Sequence, residues 1–361
     1  MAHPGAAAST LAEAAHAATQ PLIGEAAEGP GTAVDGLVAG VLAIAALHPA
    51  VLLGGCTILL GGMGEGERVI DGRALQPGRD APRPRGFVEP GSIPTAARIG
   101  VPGLPAALAL AHAGRGGRTL TALARVALAS ASAHGRVDGA RADSILAFGR
   151  DGAGIVQRGS IRDALLAAAA RSLGGVLVGA DLDALRPTVE TARVVTVGVR
   201  SWCVPSSVVL DGAARVLDDA PPIEIVAVLD AHGAFAIAAV ALASESAPLD
   251  DVGLAAPLLA RPVLRGVART APGAPLPLAS PIGLARLRER GRTDFGGVDL
   301  GLGVAGAGEA ESGFADLVRH VSAPGATLDD AFARPRATSG AGCGVSFDGG
   351  RSMRSLKDLR R

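Results

Sequence analysis

Aromatic side chains are scarce in this chain. They make up 2 % of its 361 residues, with one Trp and no Tyr. Together with 51 Gly and many Ala, that scarcity gives a mass of 35.6 kDa, light for the length. Cysteine is nearly absent too. Cys56, Cys203 and Cys343 lie far apart, with no CxxC and no Cys/His ligand spacing, which excludes a structural zinc site. An odd count of three suits reduced thiols in a cytoplasm rather than a disulfide framework, and a cytoplasmic location is expected. A surplus of one charge is also missing. Acidic and basic residues number 34 each, and neutralising a polyphosphate takes an excess of Lys and Arg, so no nucleic-acid partner is expected. Lys357 is the sole lysine, a bias read as codon usage. The first 20 residues carry Glu13 and lack both a basic start and a continuous apolar stretch, so they do not read as a secretory signal.

What is abundant is apolar residue, at 48 % against 19 % charged, the balance of a globular chain. From Gly36 to Gly62 no formally charged residue occurs, a length that raises the question of a membrane span. His48-Pro49 at its middle, with Gly54-Gly55 and Gly61-Gly62, breaks it. The pattern predicts a buried helix over Thr32 to Leu47, a turn, and a buried strand at Cys56-Thr57-Ile58-Leu59-Leu60, with no membrane partner.

Along the rest of the chain, residues 1–31 read as an Ala-rich helix and a Gly/Pro loop. Residues 63–100 read as a charged, Pro/Gly-rich connection. Helices are predicted from Leu104 to Ala113, from Thr119 to Ser132 and, as a pair, over 140–172, with Ser160 as an N-cap. Ala192 to Leu210 is β-rich, with Val194-Val-Thr-Val-Gly-Val199 as the strongest strand signal. Ile223 to Leu229, a turn at Asp230 to Gly233, and Phe235 to Leu242 form a hairpin pattern. Residues 244–280 are Pro-rich and extended, a partner-facing loop or a substrate lid. Strands at Ile282 to Leu287 and Val298 to Gly303, a helix from Ser312 to Val321 and a short one near Leu328 to Ala333 close the core. The tail over 337–361 is Gly-rich, then basic, and is expected to be mobile. Helices first and strands later fit a layered α/β or α+β fold better than regular βαβ winding.

Short segments then line up with a known pattern. Gly31-Thr-Ala-Val-Asp35-Gly-Leu-Val-Ala opens it. His48-Pro49, Leu53-Gly-Gly55, Ile70-Asp71-Gly-Arg73-Ala-Leu-Gln-Pro77 and Val101-Pro-Gly103 with Ala111-His112 follow. Gly174-Gly175 through Ala180-Asp-Leu182 to Arg186-Pro187, then Pro205-Ser206-Ser207, continue it. Leu249-Asp250-Asp251, Pro275-Leu276 with Ser280-Pro281, Leu302-Gly303-Val-Ala-Gly306 and Ala333-Arg-Pro-Arg336 complete it. In this order, over roughly residues 20–336, they resemble the gamma-glutamyltranspeptidase family of N-terminal-nucleophile hydrolases. The resemblance implies an α+β, four-layer αββα sandwich forming one unit over 1–336. Residues 20–222 correspond to the family's large-subunit part and 223–336 to its small-subunit part. It also implies cleavage or transfer of a γ-glutamyl amide by a threonine freed through self-cleavage, with Gly-Gly backbone N–H groups as oxyanion donors.

The sequence departs from that pattern at the nucleophile. The matching positions fall at Ile223 and Glu224, and no Thr, Ser or Cys lies between Asp219 and Gly233. The Ser-Ser loop reads Pro277-Leu278, and the second Gly of the oxyanion turn reads Ala307. Recognition residues remain: the resemblance puts Arg73 on a substrate α-carboxylate, through a bidentate fork, Asp251 on the α-ammonium, and Gly306 at the oxyanion turn. The expectation is a divergent, uncleaved member that binds an amino-acid-like or γ-glutamyl-type ligand without turning it over, with no cofactor or metal. The alternative is an active amidohydrolase or γ-glutamyl transferase with a relocated nucleophile, Cys203 or Ser206, served by His112, His134 or His232. A buried, inert Cys203 is the plainer reading. His232 reads as a turn residue, and Gly340 to Gly350 lacks the context of a phosphate loop. Arg79, Arg83, Arg85 and the tail arginines read as solvated. The abundant Ala, Val and Leu leave room for a homo- or hetero-oligomeric interface.

Overall fold

The computed structural model describes residues 4–23, 31–62, 66–81, 86–210, 220–287, 297–326, 341–347 and 353–356. Expectations for Glu28 to Pro30, Arg83, Arg85, the helix at Leu328 to Ala333 and the closing Ala333-Arg-Pro-Arg336 lie outside these residues. The helices are α1 (Pro4–Ile23), α2 (Ala33–Leu47), α3 (Leu104–Arg115), α4 (Leu120–His134), α5 (Gly139–Asp151), α6 (Ser160–Ala168), α7 (Gly179–Asp183) and α8 (Ala310–Val321). Two antiparallel sheets run through the molecule. The first contains β1 (Cys56–Gly61), β2 (Arg68–Gly72), β3 (Thr188–Thr191), β6 (Ile223–Leu229) and β7 (Phe235–Ala241), in the order β3-β2-β1-β7-β6. The second contains β4 (Arg193–Val197), β5 (Arg200–Val204), β10 (Ile282–Leu287), β11 (Leu300–Ala305), β12 (Ala341–Phe347) and β13 (Met353–Leu356), in the order β13-β12-β11-β10-β5-β4. A small hairpin pairs β8 (Ser246–Leu249) with β9 (Leu254–Pro257).

The period of two in β1 explains the layering. Cys56, Ile58 and Leu60 pack into a core with α1 to α6, while Leu59 joins the residues between the sheets. On β7, Ala236, Ala238 and Val240 face the helices, and Phe235, Ile237 and Ala239 face the second sheet. The outer side of the second sheet is covered by α8, where Phe314 meets Trp202 edge-on at 6.2 Å. The result is the expected α+β sandwich of helices, sheet, sheet and helix. Glycines let the sheets approach closely: a Cβ on Gly61 would lie 2.5 Å from Leu284, one on Gly301 2.7 Å from Ile237, and one on Gly303 2.7 Å from Ile225.

The central helix α2 forms where the sequence predicts it, for a local and a distant reason. Thr32 caps it: its Oγ1 accepts the Asp35 N–H and Asp35 Oδ2 accepts the Thr32 N–H, a reciprocal capping box. Asp35 is fully buried, and its carboxylate also accepts the N–H of Gly117 at 3.0 Å. Asp230, in the β6–β7 turn, accepts the Ala33 N–H at 3.0 Å. Two carboxylates thus face the positive end of α2. Among the described residues no helix is long and apolar enough to cross a membrane.

Some elements differ from expectation. Residues 68–72, read as part of a connection, form β2. The β-rich stretch forms the hairpin β4–β5, and the strand signal at Val194 to Val199 breaks at Gly198, which turns the chain at φ 54°, a conformation glycine adopts without strain. Gly159, not Ser160, is the N-cap of α6, and no side chain caps it. Within 337–361, Ala341–Phe347 pairs with β11 and Met353–Leu356 pairs with β12.

Candidate functional site

The register places the residues singled out by the resemblance along one end of the first sheet. Ile223, at the start of β6, pairs with Ala241. The Ala241 N–H donates to Gly55 O at 2.9 Å. The β1–β2 register, with Cys56 opposite Gly72, puts Gly55 beside Arg73, and a Cβ on Gly55 would lie 3.1 Å from Arg73 Cα. At ~4.8 Å per strand, Ile223 and Arg73 lie about 14 Å apart along this row.

At the Ile223 end the backbone is closed on itself. The Ile223 N–H donates to Gly306 O at 2.8 Å, and the Gly306 N–H donates back to Ile223 O at 3.1 Å. Gly306 has φ 146°, again a glycine conformation. The N–H that the resemblance assigns to an oxyanion is therefore spent inside the chain. The Ile223 side chain is buried between the sheets, and Glu224, pairing with Val240, belongs to the helix-facing side. No hydroxyl or thiol occupies the start of β6. Ser280 sits nearby in the row of Thr57: their hydroxyl oxygens are 2.8 Å apart, and both residues are buried.

At the Arg73 end the guanidinium is already engaged. Nε donates to both Asp71 oxygens at 3.0 Å and Nη2 donates to Oδ2 at 2.6 Å, while the Arg73 N–H donates to Asp71 Oδ1. The hydrogen bonds to Asp71 raise the Arg73 pKa against the opposing effect of burial, and the charges of Asp71 and Glu190 add to the rise. Glu190 Oε1 also accepts the Ser206 hydroxyl at 2.8 Å. Ser206 is thus brought to the carboxylate that acts on Arg73, a relation the sequence did not reveal.

The other candidates are not brought there. Asp251 is exposed in a short 3-10 turn, Asp250–Val252. That turn is pinned to α5, where Ser144 Oγ donates to Val252 O at 2.7 Å and Arg141 Nε donates to Gly253 O at 2.9 Å. Asp251 belongs to the helical layer, whereas Asp71, which holds Arg73, lies in the strand position next but one to Val69 of the inter-sheet core. Cys203 lies on β5 opposite Leu284. Burial first, and then the charge of Glu67, push its thiol up to about 12. Glu67 pairs with Arg286, near the Gly61 end of β1, whose Cβ would meet the Glu67 side chain. Six residues at ~3.3 Å each separate that end from Gly55, about 20 Å. His112 Nε2 bonds Arg118 O, His134 Nδ1 bonds Ser130 O, and His232 is exposed in the β6–β7 turn. Among the described residues no group of His, Cys, Asp or Glu is arranged to hold a metal ion.

No family model matches the sequence, and no curated protein resembles it in sequence. Solved structures resemble its fold. The structure of LmbA2991HD aligns at a TM-score of 0.68 with 14 % identity, over 97 % of this chain and 95 % of that one. A second LmbA2991 structure aligns at 0.64 with 13 % identity, over 91 % and 92 %. A cephalosporin acylase from Bacillus halodurans aligns at 0.62 with 12 % identity, over 90 % and 89 %. At such identities the likeness speaks for the fold, not the chemistry. The chain therefore has the fold implied by its resemblance to the gamma-glutamyltranspeptidases, that of the N-terminal-nucleophile hydrolases.

Proposed function

We propose that this protein is an uncleaved, non-catalytic user of that fold which binds a small amino-acid-like or γ-glutamyl-type molecule. The start of β6 carries the reading. Ile223 offers no nucleophile, and its own N–H and C=O are tied to Gly306. Without an attacking atom neither self-cleavage nor an acyl-enzyme can form there, and without a free donor an oxyanion is not stabilised. Intact mass spectrometry before and after incubation with γ-glutamyl-p-nitroanilide tests this. The expected result is one unmodified chain near 35.6 kDa and no p-nitroaniline. Two fragments cut near Pro222, or released product, overturn it.

A second reading has one observation in its favour. Ser206 donates to Glu190, and Glu190 acts on Arg73, so a hydroxyl, a carboxylate base and a guanidinium lie together. An active amidohydrolase would use Ser206 as its relocated nucleophile. An adduct of the γ-glutamyl mass on the uncut chain, absent from Ser206→Ala, would establish that reading and exclude the first.

A further inference from the structure

We propose that a cavity beyond the Arg73 end of β2 binds a small zwitterion with an apolar body, with Asp80 holding its ammonium and Arg269 its carboxylate. This assignment rests on the ligand-binding reading above and moves the ligand away from Arg73. The cavity has a volume of about 540 Å³, within the ~300–1,000 Å³ of small-molecule sites. Its walls are mainly apolar, with Pro77, Phe87, Val176 and Val263 among them.

The walls are built, not incidental. Gln76 is buried and uses both ends of its amide: Nε2 donates to Arg261 O at 3.0 Å, and Oε1 accepts the Arg261 N–H at 2.9 Å. Its backbone bonds Ala274 and Gly273. The buried Asp181 accepts the N–H groups of Gly78, Arg79 and Val178. The Phe87 N–H donates to Val263 O, and the Arg265 N–H donates to Phe87 O. Three stretches distant in sequence are thereby fixed around one space, the preorganisation that a binding site needs.

The charges supply the specificity. Arg269 and Asp80 line the same cavity, and among the described residues neither forms an ion pair or a hydrogen bond. Asp80 is also the one described residue other than glycine with a positive φ, 59°. Asp tolerates that conformation better than most residues, but it is uncommon and is found at functional sites. Two opposite, unpaired charges on an apolar pocket match an amine and a carboxylate on an apolar body. Arg73 offers a poorer carboxylate site, because Asp71 fills one edge of its fork and Glu190 adds a second negative charge.

The test is calorimetric titration of the full chain with L-phenylalanine, phenethylamine and 3-phenylpropionate, in wild type, Arg269→Gln, Asp80→Asn and Arg73→Gln. Asn is as much at ease as Asp at positive φ, so Asp80→Asn removes charge without new strain. A lost charge-assisted bond weakens binding at least tenfold. Arg269→Gln is expected to weaken L-phenylalanine and 3-phenylpropionate by that factor and to spare phenethylamine. Asp80→Asn is expected to weaken L-phenylalanine and phenethylamine and to spare 3-phenylpropionate. Absence of binding by all three probes at millimolar concentration overturns the proposal, as does affinity indifferent to both variants. Affinity lost only in Arg73→Gln also overturns it but leaves the ligand-binding reading standing. Turnover of γ-glutamyl-p-nitroanilide overturns the non-catalytic reading, while the charge-dependent affinities would still uphold the cavity.

Discussion

Gly103 is the N-cap of α3 and Gly114 lies in its last turn, and alanine at each should move stability in opposite directions. Gly103 has φ −94° and ψ −29°, which alanine adopts freely, so its difficulty is space alone. A Cβ there would lie 2.2 Å from Gly72 O and 2.3 Å from Arg73 O. Both are main-chain atoms at the end of β2, with no flexible side chain to swing aside. Gly103 cannot retreat easily either, because its N–H and that of Leu104 both donate to Gly54 O. Overpacking costs ~1–3 kcal/mol, and two backbone collisions put Gly103→Ala near the top, about 3 kcal/mol of a net stability of ~5–15 kcal/mol. Gly114 has nothing within 4 Å of its virtual Cβ, so Gly114→Ala should gain about 0.5 kcal/mol by restricting the unfolded chain. Urea unfolding measures both, followed by far-UV circular dichroism for the helices and by the fluorescence of Trp202, the sole Trp, buried under α8. A Gly103→Ala loss of less than ~1 kcal/mol would refute the claim that α3 and the strand end carrying Arg73 meet at backbone contact.

Cys203 should resist iodoacetamide at pH 8 in the native protein, since a thiol pushed up to about 12 offers almost no thiolate there; peptide mapping that finds it alkylated at the rate of a free cysteine would contradict its burial. His48 has a lowered pKa, through burial first and then the charge of Arg141, and its buried Nδ1 has no partner among the described residues. The unfolded chain then takes up a proton near its ordinary 6.5 before the folded one does, so stability is lost as pH falls below that value. The urea midpoint should drop between pH 7.5 and pH 5, and drop less in His48→Gln; equal drops would remove His48 from the account. Asp71→Asn should free one edge of the Arg73 fork yet leave the calorimetric affinity for L-phenylalanine within about twofold of wild type, since the proposed cavity does not use Arg73; a gain of about tenfold or more would return the carboxylate to Arg73.

How much was legible in the sequence depended on how local the cause was. The helix α2 could be read because its signals, an uncharged apolar run and a Thr32–Asp35 cap, sit within a few residues. The β6–β7 hairpin could be read because Asp230 to Gly233 is a turn with strand pattern on both sides. Strand β2 was missed because Arg68, Asp71 and Gly72 give it little strand character; its pairing with β1 makes it a strand. The β4–β5 turn was hidden by valines flanking Gly198. The surroundings of Arg73 and Asp251 were illegible for a related reason. Sequence shows both charges but not that Ser144 and Arg141 draw the Asp251 turn onto α5, nor that Asp71, two residues away, already fills the Arg73 fork. The cavity was illegible because its walls come from segments near 76–87, 174–176 and 262–272, whose meeting is a tertiary event. The resemblance supplied the fold, and the lack of Thr, Ser or Cys between Asp219 and Gly233 was plain in the sequence.

The two hydrogen bonds between Ile223 and Gly306 join the first sheet to the chain just after β11 in the second. They act as a seam: at that end the sheets cannot part without breaking both bonds together. The amides of residues 223 and 306 should therefore exchange with deuterated solvent at one shared, slow rate, set by opening of the sandwich and not by local fraying. A molecule entering between the sheets at this end would have to wait for that opening, while the loops beyond Arg73 stay accessible throughout. With that end of the sandwich sealed, the proposed recognition in the loops is separate from the two sheets, so a change of ligand there need not loosen the frame.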